Sequence, residues 1–335
     1  MDSKFDIITI GGAVRDITFY TNKGKIFATP EDLTSQKMIA FEYGTKINIA
    51  EVYCSLGGGA SNTATSLARL GFRTAIIARV GKDQDGKEII NKLKKEKINT
   101  DFIQIDPRSQ TGFSFILSVD KKEMDHVAFL YRGADQNLQF SHHRHLNAKW
   151  FYLTSLSGSN WLKTIKSVFN FAAKNNIKIA WNPGNLQLQA GKSVISPWLK
   201  KTSILILNKD EAIELVLSGI KVGRRNPRYL NRPIYLLNIL KEWGPKVVVV
   251  TEGKKGAWVY EGNKITHQKS RKAKAIDTTG VGDAFGSSFV AGFISNKGNI
   301  AKSLKWGMIN SASVVTKIGA QNGLLTLKEL KNKYK

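Results

Sequence analysis

The chain has 335 residues, 42% hydrophobic and 10% aromatic, enough for an ordinary globular core, and no apolar run approaches the roughly 18 residues of a membrane span. A lone cysteine, Cys54, excludes an internal disulfide, and with no export signal at the start of the chain a cytoplasmic protein is expected. The formal charge of +25 is spread along the chain with no nucleic-acid motif to organise it, so it reads as a lysine-rich surface and a nucleic-acid partner is not expected.

Short β-branched runs alternate with amphipathic segments. Strands are predicted at residues 7–10, 74–78, 151–153, 178–181, 204–207 and 247–251, several apolar throughout, as suits strands covered on both faces. Helices are predicted at 85–97, 161–174 and 210–217. This alternation argues for an α/β fold, with a mostly parallel sheet and helices on both sides. Two regions break it. Residues 18–52 hold short extended pieces, and residues 111–119 and 126–131 read as a hairpin around a polar turn at 120–125. Together they could form a small β-layer, either a lid over a site or an extension of the sheet edge.

Most of the polar motifs fall at strand ends, where ligands bind in such sheets. Asp16 follows Gly11-Gly12 and could bind a polyol or cap a turn. Gly57-Gly58-Gly59-Ala60-Ser61-Asn62 precedes a helix that Gly71 should stop. Gly58 lets a ligand touch backbone, and the Asn62 amide suits hydroxyl groups, though a loop with a capping Asn has the same pattern. Asn208 and Glu211 share a helical face and could order phosphate and hydrated Mg²⁺, or simply cap the helix. Thr251-x-Gly253-x-x-Gly256 suits a loop under a nucleotide, or a hairpin turn. The most specific string is Asp277-Thr278-Thr279-Gly280-Val281-Gly282-Asp283. Glycines at a helix start form an anion cradle, and Asp283 beside it could take a proton from a hydroxyl. The cluster His142, His143 and His145 reads as a solvated loop, and Walker A and protein-kinase motifs are absent.

Four ordered motifs, Gly57-Gly58-x-x-x-Asn62, Asn208-x-x-Glu211, Thr251-x-Gly253-x-x-Gly256 and Asp277–Asp283, resemble the ribokinase-like, or PfkB, carbohydrate kinases along essentially the whole chain. The resemblance implies a three-layer α/β/α sandwich over residues 1–335, with a β-sheet lid from about 17–55 and 110–133. It implies ATP-dependent phosphorylation of a hydroxyl on a small sugar or polyol. Asp283 would be the base, and the N–H groups of Gly280, Val281 and Gly282 the anion hole. Asp16, Gly58 and Asn62 would hold the acceptor. Asn208 and Glu211 would order phosphates and Mg²⁺, and Thr251, Gly253 and Gly256 would line the ATP site. Asn310 and Ser313 would lie near the base. Asp277, with the Thr279 carbonyl, resembles a monovalent-cation site, for K⁺, found in some members. Lids of this family often pair into homodimers.

The acceptor stays open. A nucleoside would want aromatic contacts, for which Tyr20, Phe27, Phe41 and Tyr53 are candidates, and a sugar phosphate would want a cation such as Arg132. A binding protein that kept the fold without catalysis is the remaining alternative. Asn182, in Trp181-Asn182-Pro183-Gly184, is assigned no role, and the basic segment 221–233 lies outside the family pattern.

Overall fold

The computed structural model describes residues 4–29, 37–49, 51–119, 126–141, 146–221 and 227–334. The histidine cluster, the turn at 120–125 and residues 222–226 of the basic segment lie outside the described residues. In chain order the elements are β1 (Phe5–Ile10), β2 (Val14–Tyr20), β3 (Lys25–Ala28), β4 (Lys37–Ala40), β5 (Val52–Gly57), α1 (Gly59–Arg69), β6 (Thr74–Ile77), β7 (Arg79–Gly81) and α2 (Gln84–Lys95). Then come β8 (Gln104–Asp106), β9 (Phe113–Ser118), β10 (Val127–Tyr131), β11 (Ala148–Leu153), α3 (Trp161–Lys174), β12 (Lys178–Trp181), α4 (Asn185–Leu199), β13 (Ile204–Asn208) and α5 (Lys209–Leu217). The chain finishes with α6 (Pro233–Glu242), β14 (Val247–Thr251), β15 (Ala257–Glu261), β16 (Lys264–Gln268), α7 (Val281–Ser295), α8 (Ile300–Val314) and α9 (Leu327–Tyr334).

The main sheet has eight strands in the order β16-β15-β14-β13-β12-β11-β1-β6. All neighbours are parallel from β6 to β14, and β15 and β16 add an antiparallel hairpin at one edge. Successive side chains of a strand point to opposite faces, and both faces here are apolar. On β13, Leu205 and Leu207 pack with α3, α4, α5 and α6, while Ile204 and Ile206 pack with α1, α7, α8 and α9. The result is a three-layer α/β/α sandwich around a mostly parallel sheet. Among the described residues no helix is long and apolar enough to cross a membrane.

A four-stranded sheet, β10-β9-β2-β5, stands beside the main one. β2 follows β1 after a short Gly11–Ala13 link, and β5 runs directly into α1, so the end of this sheet where Val14 lies opposite Gly57 adjoins the end of β1 in the main sheet. The hairpin expected at 111–131 is present as antiparallel β9 and β10. The short extended pieces expected at 18–52 include, among the described residues, the exposed β3–β4 pair and parts of β2 and β5. α4 had no clear periodic signal, because Gly191 (φ +74°) breaks it into two parts. Beyond residue 226 the basic segment makes a short 3₁₀ turn, Pro227–Asn231, and Pro233 opens α6, a position where a missing N–H costs nothing.

α7 carries small residues on several sides and is buried almost throughout. It approaches β11 so closely that a Cβ at Gly286 would lie 2.3 Å from the hydroxyl oxygen of Tyr152. Tyr152 is fully buried and has no room to move aside. Gly286→Ala is therefore expected to cost about 1–3 kcal/mol by overpacking. Adding Tyr152→Phe removes the clashing atom, so the double variant should regain most of that loss in a denaturant titration. Additive losses would show that the contact does not limit the packing.

Candidate active site

Two cavities open at the carboxyl ends of the main-sheet strands, and they share a wall. The first, about 220 Å³, lies under the four-stranded sheet and is lined by Asp16, Gly58, Asn62, Arg132, Asp135 and Asp283 among others. The second, about 230 Å³, is lined by Asn182, Asn208, Glu211, Thr251, Gly282 and Asp283 among others. Gly280 and Asp283 belong to both.

Asp283 owes its position to the start of α7. Gly280 caps the helix in the left-handed conformation (φ +73°), and a Cβ there would lie 2.3 Å from Ala320 Cβ. The helix therefore begins at Val281, with Asp283 in its first turn, facing the junction of the cavities. The first N–H groups of a helix have no acceptor within it and carry the positive end of its dipole. Val281 N–H donates to the Thr278 carbonyl at 3.3 Å, so the anion-binding capacity rests more on the neighbouring amides than on that of Val281. A Cβ at Gly282 would meet nothing within 4 Å, which leaves that stretch of backbone open to the second cavity. The Thr279 hydroxyl is buried at the wall of the first cavity and makes no hydrogen bond.

Acids dominate the first cavity. Asn62 donates from Nδ2 to Asp283 Oδ2 at 2.8 Å. Burial nonetheless pushes the Asp283 carboxyl up to about 6, with the Asn62 bond working against the shift. Asp283 keeps partial solvent exposure where the cavities meet. Asp16 sits on β2 where Gly57 leaves space: a Cβ at Gly57 would be 1.8 Å from Asp16 Oδ2. Burial raises Asp16 to about 7, opposed by a hydrogen bond from Ser114 and helped by the nearby Asp283 and Asp277. Asp135 is also raised by burial, against a 2.6 Å hydrogen bond from Ser157 Oγ and the charge of Arg132.

In the second cavity Asn208 and Glu211 form a reciprocal cap on α5. Asn208 Oδ1 accepts from the Glu211 N–H and Glu211 Oε2 accepts from the Asn208 N–H, both at 2.8 Å. Helix capping and a place at the cavity wall are thus the same arrangement. Burial raises Glu211 to about 7, opposed by the Asn208 N–H and reinforced by Asp283.

Other expected residues fall elsewhere. Gly253 and Gly256 are outside both cavity linings. Gly253 starts a 3₁₀ turn, and Gly256 (φ +103°) lets the chain pass the Gln268 carbonyl, where a Cβ would be only 2.0 Å away. Asn310 is fully buried and spent on packing: it donates to Ser66 Oγ and Ser288 Oγ and accepts from the Leu325 N–H. Neither it nor Ser313 lines either cavity beside Asp283. Asp277 stands behind the loop, taking the N–H groups of Thr279 and Gly319 at 2.8 Å each. The aromatic residues of the first cavity are Phe113 and Tyr131, not Tyr20, Phe27, Phe41 or Tyr53. Asp135 and His126, which escaped the sequence reading, and Asn182, which is assigned no role there, line the cavities. Asp135 and Asn182 each left a weak signal, an acid three residues after Arg132 and an amide directly after a strand. His126, which bonds Thr278 Oγ1 at 3.1 Å, left none.

The family profile of the pfkB family carbohydrate kinases matches residues 32–327. The chain belongs to this family. A ribokinase of Staphylococcus aureus is 30% identical over 294 residues, covering 86% of this chain and 91% of its own. Among solved structures, the nucleoside kinase of Methanocaldococcus jannaschii aligns with a TM-score of 0.78 at 22% identity, over 99% of both chains. A ribokinase of Arabidopsis thaliana complexed with ribose and ATP aligns at 0.77 and 18%, over 100% of this chain and 99% of the other. These similarities between structures establish the ribokinase-like fold. As a member of the pfkB family the protein is a phosphotransferase.

The acids of this pfkB-family site bind a proton more tightly folded than unfolded. From about pH 4 to pH 7 the folded protein therefore holds more protons, and these groups lower its stability as pH rises through that window. Asp283→Asn removes one such group. Its stability should gain on the wild type from pH 4 to pH 7, by an amount on the order of 3 kcal/mol at the upper end, with a matching rise in relative melting temperature. Calorimetry across that range checks it, and a difference that does not change with pH would contradict the burial of this charge.

Proposed function

We propose that this chain is an ATP-dependent kinase that transfers the γ-phosphate to a hydroxyl of a small sugar or polyol. The observation that carries this reading is the position of Asp283, on the wall shared by two cavities and at the start of a helix. An acceptor in the first cavity and a nucleotide in the second would meet there. Asp283 takes the proton of the acceptor hydroxyl as its oxygen bonds to the γ-phosphorus and the bond to the ADP oxygen breaks. The first amides of α7 face the negative charge of the transferring group.

The second cavity suits a hydrated divalent cation. Glu211 spends one carboxylate oxygen on its helix cap and keeps the other, with the Asn208 and Asn182 amides beside it. Mg²⁺ prefers oxygen ligands and retains waters, so Glu211 and Asn208 would hold it through water, where it supplies charge neutralisation for the phosphates. A neighbouring cation would also favour the ionised form of Glu211. Asp277 and the Thr279 carbonyl are the expected place for a monovalent cation such as K⁺. The four-stranded sheet would act as a lid that keeps water from the acceptor. The exposed apolar side chains Phe27, Met38, Val52 and Phe129 support pairing of two copies through this region.

The carboxylates Asp16, Asp135 and Asp283 outnumber the cation Arg132 in the first cavity, which favours a neutral, hydroxyl-rich acceptor over a phosphorylated one. One observation favours a nucleoside as second reading. Phe113 and Tyr131, with ring centres 4.9 Å apart, could supply a face for a base.

ADP production should be measured against pentoses, hexoses, their phosphates and nucleosides. Turnover is expected with a neutral polyol or nucleoside, and activity should fall as pH drops through about 6, where Asp283 takes up a proton. Asp283→Asn should lower turnover roughly 10²–10⁴-fold while ATP still binds. Near-normal turnover in that variant would sink the mechanism.

A further inference from the structure

Asn62 presents its amide N–H to Asp283, and something must decide that this end of the side chain, and not its oxygen, faces the carboxylate. The oxygen and nitrogen of an amide have nearly the same shape, so its partners make the choice: the carboxylate, which accepts from the N–H at one end, and the bond to the amide oxygen at the other. That bond comes from Gln321, which donates from Nε2 to Asn62 Oδ1 at 3.0 Å and to Ser61 Oγ at 2.9 Å. Gln321, Asn62 and Ser61 are all buried, so these bonds act where water competes poorly. Gln321 lines neither cavity and touches no acceptor or nucleotide site.

Its chain neighbours brace the same loop. Gly319 donates its N–H to Asp277, and Ala320 packs where a Cβ on Gly280 would fall. The backbone carbonyl of Gln321 is held by Arg69 of α1 at 3.0 Å. Three consecutive residues thus contact Asp277 at the start of the anion loop, its helix cap and the partner of its carboxylate.

We propose that Gln321 is a positioning residue for the base: it fixes the orientation of Asn62, which in turn aims and ionises Asp283. This rests on the reading of Asp283 as base. Without the Gln321 donor the Asn62 oxygen loses its partner and the carboxylate alone holds the amide, so the 2.8 Å bond to Asp283 is held less firmly in the geometry that favours the ionised form. The other titratable groups around this centre are Asp16 from β2, Glu211 from α5 and Tyr152 from β11, with Asp135, Arg132 and His126 around the first cavity. None of them bonds the Asn62 amide in place of Gln321.

The test uses the full chain with two variants. Gln321→Met keeps the volume and removes the donor. Gln321→Glu keeps polarity and a partner for Ser61, and offers the Asn62 amide an acceptor instead. Both should lower kcat about 10- to 100-fold with little change in KM, as a misaimed catalytic group does. Both should move the acid limb of the pH–rate profile upward, Glu more than Met. In an Asn62→Leu background, Gln321→Met should cost no further activity, because its effect passes through Asn62. Wild-type kcat and an unmoved acid limb in Gln321→Glu would overturn the proposal, as would losses that simply add in the double variant. Should Gln321→Met not fold, the Glu variant alone decides by the same profile. Asp283→Asn is assayed in parallel. If it stays active, the base assignment itself fails; if it is dead while the Gln321 variants behave as wild type, only the role of Gln321 fails.

Discussion

A carboxylate held out of water, at the place where two cavities meet, is the constraint around which this molecule is arranged. Burial alone would keep Asp283 protonated and useless as a base. Two features pull in the other direction: the 2.8 Å hydrogen bond from Asn62 and the positive end of α7. The balance leaves the carboxyl at about 6, ionised near neutrality and basic enough to accept a proton. A fully solvated aspartate would be ionised but a poor base, and a fully enclosed one would stay neutral. The site works between these limits.

Holding that balance requires close approach of backbones, and the small residues supply it. Gly286 lets α7 lie against Tyr152, and Ser287 Oγ donates to Ser66 Oγ of α1 at 2.7 Å. α1 and α7 are thereby locked side by side, which is why Asn62 on one can reach Asp283 on the other across 221 residues of sequence. Gly57 does the same for Asp16, whose carboxylate fills the space that a side chain would occupy. The glycines serve the ligand less directly than their motif positions suggest: Gly57 makes room for an acid, Gly280 for Ala320 and Gly286 for Tyr152.

This explains what could be read in the sequence and what could not. Strand cores such as Val247–Thr251 were legible because both faces are apolar, and the layer order followed from their alternation with helices. Asp16, Asn62, Asn208 and Asp283 were legible because they adjoin glycines or strand ends in short strings. Asn310 was misplaced because an amide one helix away from the base has the same local pattern whether it points at the site or into the α7–α8 contact. Gln321 and His126 act through contacts with residues 259 and 152 positions away, and nothing in their immediate neighbours hints at that. The aromatic residues of residues 18–53 were poor guides for a related reason. Side chains alternate between the two faces of a strand, and composition does not say which face covers the cavity.

The charge of the chain takes on a meaning once the site is seen. The cavities are acidic, whereas the molecule carries a formal +25. A polyanion approaching from bulk solvent feels the summed field first, out to a Debye length of about 8 Å at physiological salt. Lys254 and Lys255 stand on the short turn that follows Thr251 and Glu252, and both Lys255 and Lys209 pair with Glu252. On the proposed function, a positive surface and acidic cavities would divide the work: the field would favour arrival of an anionic nucleotide, and the acids would hold hydroxyls and a proton without competing for its phosphates. The same division argues against a phosphorylated acceptor. Such a group would have to pass from the favourable field outside into the enclosure formed by Asp16, Asp135 and Asp283, where Arg132 is the one Arg or Lys among the residues lining the first cavity.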